Sequence, residues 1–367
     1  MINQSWFKVI TIVLIVYVFT AGMLRPLNPG ILEIDQQSAV AGSEWTANVH
    51  TYNTHLSTAE SKAWLKLEDN SFIPAKSFIA ETDEKAILTF NIPSNLTGSK
   101  KVEGATLIIS NDQDGSFIRP SSVVIRSDSA QSTNTQNWST SEISGLKQAH
   151  VKGFPFRLIL EETIRNIFYH VPLWFGMVML YLFAVFFAIR FLFKQKEEDI
   201  LKSYSLNSVG FLFGILGLLT GSVWAKNTWG TYWTGDIKLN MTAIAMLIYA
   251  AYFILWRSFK DDIVRNRIGA VYSIFAMCTL IPLIFVIPRL YDSLHPGNGG
   301  NPALGGEDLD NTMRTVFYPA VIGFTLLGLW LSNLLYRIKK IDSHTSSRFL
   351  VLSTKSQWKS YKKQNNT

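Results

Sequence analysis

Six apolar runs set the terms on which this chain can fold. Five lie from residue 171 onward, roughly Val171–Phe193, Ser208–Trp224, Met241–Trp256, Ile268–Ile287 and Thr315–Tyr336, and one, Phe7–Leu24, lies near the start. Each has about 16 to 23 residues, enough to cross a thin or average bilayer as a helix. Lipid offers no partner to backbone N–H and C=O groups, so runs of this kind must be helical. Phe7–Leu24 has the length of a signal peptide, and Ala21-Gly22 is small enough for processing. Lys8 is the only cation near its start and no clear small-x-small site follows, so it reads as a retained span.

Composition agrees with a mixed molecule. The chain is 48% apolar, with 24 Phe, and its mean hydropathy is +0.16. That is too apolar for an average soluble domain and too polar for a chain wholly in the membrane. The net charge of +7 does not point to nucleic acid, because Lys and Arg gather in short segments beside the apolar runs. Lys194, Lys196, Lys202, Arg257, Lys260, Arg265, Arg267, Arg337, Lys339, Lys340 and the basic tail form the richer set; Lys226, Lys238, Arg289 and Arg314 form the poorer. The richer set is expected in the cytoplasm. Both termini then lie inside, and residues 31–128, the 224–236 segment and the turn around His295 lie outside. The single Cys278 sits in an apolar run and rules out a disulfide framework or a Cys-x-x-Cys redox site within the chain.

Residues 31–128 change character. Trp45–Thr51, Ala63–Glu68, Ala86–Ile92, Ala105–Ser110 and Ser122–Arg126 alternate with period two, broken by Pro, Gly, Asn and Asp. This predicts an all-β sandwich. Residues 129–150 begin with a stretch rich in Ser, Thr, Asn and Gln and read as a flexible linker. Phe156–His170 carries apolar residues at helical spacing among charges, which predicts a helix lying in the interface. The expected fold is therefore an α-helical polytopic membrane protein with six transmembrane helices and an inserted β-sandwich. Its parts are a first span within 1–30, the sandwich 31–128, the linker 129–150, a transmembrane domain 151–340 and a basic cytoplasmic tail 341–367.

The chemistry concentrates in two places. Trp224-Ala-Lys-Asn-Thr-Trp-Gly-Thr-Tyr-Trp-Thr-Gly-Asp236 places three Trp, one Tyr and one Asp between two spans. Such rings either anchor a membrane boundary or form a surface for a flat apolar ligand. His170, in Tyr169-His-Val-Pro172, begins a span, and His295, in Ser293-Leu-His-Pro296, follows one. Both are expected on the outer face with the aromatic segment. Neutral imidazole is a strong axial ligand for haem iron, and two can hold it from opposite sides. His50, His55, His150 and His344 read as plain surface residues. Asp236 either caps the following helix or hydrogen-bonds a histidine. Lys226, Lys238, Arg289 and Arg314 are candidate partners for haem propionates. Gly297-Asn-Gly-Gly300 reads as a turn, and no nucleophile elbow, zinc-protease motif or P-loop occurs.

On these residues the segment from Arg165 to Arg337 resembles CcmC, a membrane protein family that handles haem in cytochrome c maturation. Arg165-Asn-Ile-Phe-Tyr-His-Val-Pro172 is similar to the family's stretch ending in His-Val-Pro. Gly221–Asp236 is similar to its tryptophan-rich signature, with Tyr232 where Trp is usual, Gly235 in place of the last Trp, and Ile237–Asn240 in place of an Arg-Leu-Thr-like ending. Ser293–Pro296 matches the context of the second family histidine. The resemblance implies that His170 and His295 are axial ligands of transiently bound haem b, and that Trp224, Trp229, Tyr232, Trp233 and Asp236 belong to the haem-binding segment. It implies a bacterial inner-membrane protein without catalytic residues. Its expected partners are a CcmE-like haem chaperone, an ABC-type complex of CcmA and CcmB, and a small CcmD-like protein. The sandwich has no counterpart in that resemblance and is expected to dock a maturation partner or to serve as a shield or assembly module. Two other readings are a CcsA-like synthase component that attaches haem to apocytochrome c and a scaffold without haem. A synthase is expected to show more spans and a second histidine pair; a scaffold is expected to lack a Soret band.

Overall fold

The computed structural model describes residues 5–94, 96, 101–127, 137–148, 153–295 and 309–364, with backbone alone for 344 and 346–364. His150 and Gly297–Gly300 lie outside the described residues, as does the side chain of His344. The chain divides into two compact units, Met1–Leu24 with Arg165–Thr367, and Arg25–Ile164.

The first unit is helical: α1 (Ser5–Leu24), α2 (His170–Lys194), α3 (Glu197–Trp229), α4 (Ile237–Ser258), α5 (Asp262–Ile281) and α6 (Asn311–Gln364). Among the described residues, six helical stretches are long and apolar enough to cross a membrane, as the hydropathy pattern predicts. The helices overrun some of the predicted spans. The 33 residues of α3 make it about 50 Å long, beyond a hydrocarbon core of about 30 Å. The predicted Ile268–Ile287 span is not a single regular helix. After Ile281 the chain makes a π turn, Pro282–Val286, and then a 3₁₀ turn, Ile287–Arg289. Pro282 and Pro288 cause the change, because neither donates an N–H to the preceding turn and each ring crowds it.

The α2–α3 pair is set by four glycines. Gly210, Gly214, Gly217 and Gly221 recur at three- and four-residue spacing on α3. Along antiparallel α2, Tyr181, Met177, Trp174 and His170 lie over them in that order. A Cβ on Gly210, Gly217 or Gly221 would fall 2.6, 2.7 or 2.6 Å from the covering ring, and one on Gly214 would meet the Met246 side chain of α4 first and the Met177 sulfur at 3.0 Å. Without a strong hydrophobic drive in lipid, such close approach is how helices gain packing energy. It also fixes their register. At the far end of this pair Arg190 grips Asp199, which is fully buried: Nε donates to Oδ2 at 2.9 Å and a terminal nitrogen lies 2.7 Å from Oδ1.

The second unit is a two-sheet sandwich. Its strands are β1 (Gly30–Ile34), β2 (Ser38–Val40), β3 (Glu44–Tyr52), β4 (Lys62–Lys66), β5 (Phe72–Pro74), β6 (Ser77–Thr82), β7 (Lys85–Asn91), β8 (Val102–Asn111) and β9 (Gly115–Arg126). One sheet runs β1-β3-β7-β6 and the other β2-β9-β8-β4-β5. The five predicted strands correspond to β3, β4, β7, β8 and β9, and the unpredicted ones are shorter or less alternating. On β3 and β7 every second residue turns inward, which puts Trp45, Ala47, Val49, Ala86, Leu88 and Phe90 into one core with Leu65, Leu107 and Ile109 of the other sheet.

Within the segment expected as a linker, the described residues are bonded to this sandwich. Ser139 exchanges two backbone hydrogen bonds with Phe72, each 2.9 Å, and the Lys147 N–H donates to Ser110 Oγ at 3.0 Å. Trp138 packs against the core, which a run of Ser and Thr does not foretell. Entry and exit of the unit also meet. The Asn28 N–H donates to the Phe154 carbonyl at 2.7 Å, the Phe154 N–H donates to the Pro26 carbonyl at 2.9 Å, and Leu27 and Phe154 pair in parallel, both buried. Phe156 then stacks on Tyr52. The predicted interfacial helix Phe156–His170 is only partly formed, as a 3₁₀ segment Glu161–Phe168. His55 is more than a surface residue: its Nδ1 lies 2.8 Å from Oδ1 of buried Asp114, whose Oδ2 accepts the His55 backbone N–H.

Candidate functional site

His170 occupies the first turn of α2, over the space left by Gly221. Its ring nitrogens are both engaged. Nδ1 lies 3.1 Å from Thr220 Oγ1, and Trp174 Nε1 donates to Nε2 at 3.3 Å. An indole N–H can only donate, so Nε2 is an acceptor and the ring proton sits on Nδ1. The Thr220 hydroxyl gives its own proton back to the Leu216 carbonyl at 2.9 Å, which leaves its oxygen free to accept from Nδ1. Three side chains thus agree on one tautomer, with the Nε2 lone pair directed toward Trp174.

His295 belongs to the turn after α5. Its ring lies against Trp224 and Trp229, at centroid distances of 5.9 and 5.2 Å, and those two indoles meet edge to face at 5.0 Å. Its Nδ1 is buried without a hydrogen-bond partner. Burial pushes this imidazole down to about 4, against a smaller upward pull from Asp236, so it is neutral at pH 7. A neutral ring with a buried nitrogen outside any hydrogen bond has the chemistry of a metal ligand.

Asp236 explains how His295 is placed. Its Oδ1 accepts the Lys238 N–H at 2.9 Å and caps α4, while its Oδ2 accepts the Leu294 N–H at 2.7 Å. Ser293 adds a side-chain hydrogen bond to the same carboxylate. Burial pushes this carboxyl up, but the hydrogen bonds from Ser293, Leu294 and Lys238 outweigh it and hold the group below the usual range. Of the two readings of Asp236, capping is the one seen here: it is an N-cap, and its second oxygen ties down the residue before His295. It bonds the histidine's backbone neighbour and not its ring.

The aromatic segment is not one loop. α3 continues through Trp224 to Trp229, and Gly230, at φ 77°, ends it with its N–H on the Lys226 carbonyl. Gly suits this left-handed cap position, which any Cβ would strain. Trp224 and Trp229 are thereby held on a helix and flank His295. Tyr232 and Trp233 lie beyond the cap, 59% and 42% exposed. Ser222 Oγ donates to the Tyr232 carbonyl, and Trp233 Nε1 donates to Asn240 Oδ1.

One cleft is lined by both histidines together with Trp174, Gly217, Gly221, Trp233, Lys238 and Thr242. Its volume is ≈ 60 Å³, room for a few waters but far below the ~300 Å³ that a drug-sized ligand needs. A macrocycle therefore enters only by displacing side chains or lies across the mouth. The donor set suits haem iron: two neutral imidazoles, flat aromatic rings beside them, and an unsatisfied buried nitrogen. Among the four cations considered for propionates, Lys238 lines the cleft. Lys226 instead donates to the Gly230 carbonyl and lies 5.7 Å from the Tyr232 ring centroid. Trp174, Thr220 and the Gly217–Gly221 pair were not picked out from the sequence. The signal was present, since His170 and Trp174 are one helical turn apart and so are the glycines.

Comparison with known proteins points to one family. The family model described as CcmC, heme exporter protein C, matches residues 149–349, which begin after the β-sandwich strands. Curated relatives with the name heme exporter protein C include that of Bradyrhizobium diazoefficiens, 29% identical over 45% of this chain and 62% of its own length. That of Escherichia coli K12 is 26% identical over 47% of this chain and 68% of its own. That of Haemophilus influenzae is 24% identical over 48% and 72%. The chain thus spans about two thirds of the length of the relatives it matches.

Proposed function

As the chain belongs to the heme exporter protein C family, we propose that it holds haem b in transit between His170 and His295 and presents it on the outer membrane face. The observation that carries this reading is the shared cleft: two neutral imidazoles from different elements line it, one with a free buried nitrogen. Trp224 and Trp229 orient His295, while Tyr232 and Trp233 offer exposed ring area to the macrocycle or to its recipient. No bond of the haem is made or broken here; the chain binds, orients and hands over. The recipient is a haem chaperone of the CcmE kind, with CcmA, CcmB and a CcmD-like subunit assisting release in cytochrome c maturation. The distribution of Lys and Arg supports a bacterial inner-membrane placement with both termini in the cytoplasm and the sandwich in the periplasm, where it docks a maturation partner.

The test is an absorption spectrum of detergent-purified protein, read beside holocytochrome c yield in cells. His170→Ala and His295→Ala are each expected to lose most haem occupancy and all cytochrome c maturation while the protein stays in the membrane. Wild-type Soret intensity and cytochrome c in either variant refutes the pairing of these two ligands. A variant without the sandwich is expected to keep its Soret band and to transfer haem less well. Loss of that band from a stably inserted variant shows instead that the sandwich helps to build the site.

A further inference from the structure

We infer that Trp174 is a latch on His170: its indole N–H occupies Nε2 when no haem is bound, and haem iron must displace it. The inference rests on the haem reading above and deepens it. Three observations carry it. Trp174 Nε1 donates to His170 Nε2 at 3.3 Å, the ring proton is committed to Nδ1 through Thr220, and Trp174 is seated on Gly217 one turn from His170 on Gly221. The asymmetry between the two histidines gives this weight. His295 has a buried Nδ1 with no partner, whereas both ring nitrogens of His170 are occupied.

The exchange is balanced without a proton transfer. With haem bound, the Nε2 lone pair would be offered to the iron in place of the indole N–H, while the proton would stay on Nδ1, hydrogen-bonded to Thr220. The freed indole N–H must find water or another acceptor. In reverse, the same N–H recaptures Nε2 as iron leaves, so the empty state is stabilised and release is favoured over retention. A carrier gains from this, because a ligand pair that binds haem as tightly as possible does not give it up. Trp174 is thus a positioning residue that acts through His170.

The variant is Trp174→Phe, which keeps a ring over Gly217 and removes the N–H. Trp174→Leu is the second variant, for the case that Phe packs poorly. Three readouts apply. In the haem-free protein, diethyl pyrocarbonate should modify His170 several-fold faster in the variants, measured by mass spectrometry. Haem titration should show affinity higher by about 2- to 12-fold, the equivalent of one neutral hydrogen bond, and loss of haem to apomyoglobin should slow to match. In a His170→Ala background the same substitutions should change neither quantity. Unchanged or weaker haem binding in both variants, with His170 still required, overturns the latch while leaving the haem reading in place. Haem binding that does not require His170 at all overturns the haem reading itself.

Discussion

Asp236→Asn separates the two jobs of one carboxylate. Asn is as good an N-cap as Asp, so the bond to the Lys238 N–H survives. The second oxygen, which accepts the Leu294 N–H at 2.7 Å, becomes an NH₂ group facing another donor. A hydrogen bond to a charged acceptor is worth about 1.5–3 kcal/mol, so the segment that carries His295 loses that much of its preference for the closed position. If haem binding requires that position, affinity falls by about 10- to 150-fold. Asp236→Ala loses the same tie and also the cap, a further ~1 kcal/mol of helix stability, which appears as a lower unfolding midpoint. The assay is haem titration of purified protein, followed at the Soret band, for Asp236→Asn, Asp236→Ala, His295→Ala and the Asp236→Asn/His295→Ala double variant. Because Asp236 acts through His295, the double variant should bind no worse than His295→Ala alone. Wild-type affinity in Asp236→Asn, with impairment only in Asp236→Ala, refutes the tie and leaves capping as the sole role. Additive losses in the double variant refute it as well.

Two further outcomes follow from packing. Gly221→Ala sets a methyl 2.6 Å from His170 Cε1, and overpacking of this kind costs about 1–3 kcal/mol; haem affinity is expected to fall by about 5- to 150-fold, and wild-type affinity would show that the His170 ring position is not what binding depends on. Arg190→Met leaves Asp199 buried and unpaired, which costs about 3–5 kcal/mol. Its midpoint of thermal unfolding in detergent should fall sharply and recover in part with Asp199→Asn, and an unchanged midpoint refutes the claim that this pair holds the ends of α2 and α3.

What the sequence disclosed and what it hid divide along contact range. The spans were legible because a bilayer demands one thing of the backbone, and the runs answer it directly. Loop charge predicts His170 and His295 on one face without any knowledge of packing, and the two do line one cleft. The extent of α3 was not, because Trp and Thr read as boundary residues, and only Gly230 marks where the helix stops. The second role of Asp236 was invisible because its partner lies 58 residues away. Trp174 was hidden by its surroundings: one more aromatic in an apolar run looks like lipid contact until Gly217 is seen beneath it. Of the Ser129–Ser144 stretch, residues 137–144 are described, and their ties to the sandwich through Trp138 and Ser139 are contacts that a polar composition does not reveal.

The pairing of Leu27 with Phe154 bears on how such a chain came to be assembled and how it can be taken apart. An inserted domain is easiest to gain or lose where its two ends are neighbours, because the host then sees no change in spacing. Here the two ends are neighbours and also run in the same direction. A chain that passes from Leu27 to Pro155 keeps its heading and steps sideways by one strand spacing, about 4.8 Å, without needing a turn. The seam for grafting or excision is therefore 27/155, outside the 31–128 limits that composition suggests. A cut at 31 and 128 would leave behind Trp138, Ser139 and Lys147, which are bonded to the sandwich and would be stranded without it. Seen this way the sandwich is a cassette, and the seam is where the bundle of one protein can be given the β-sandwich of another.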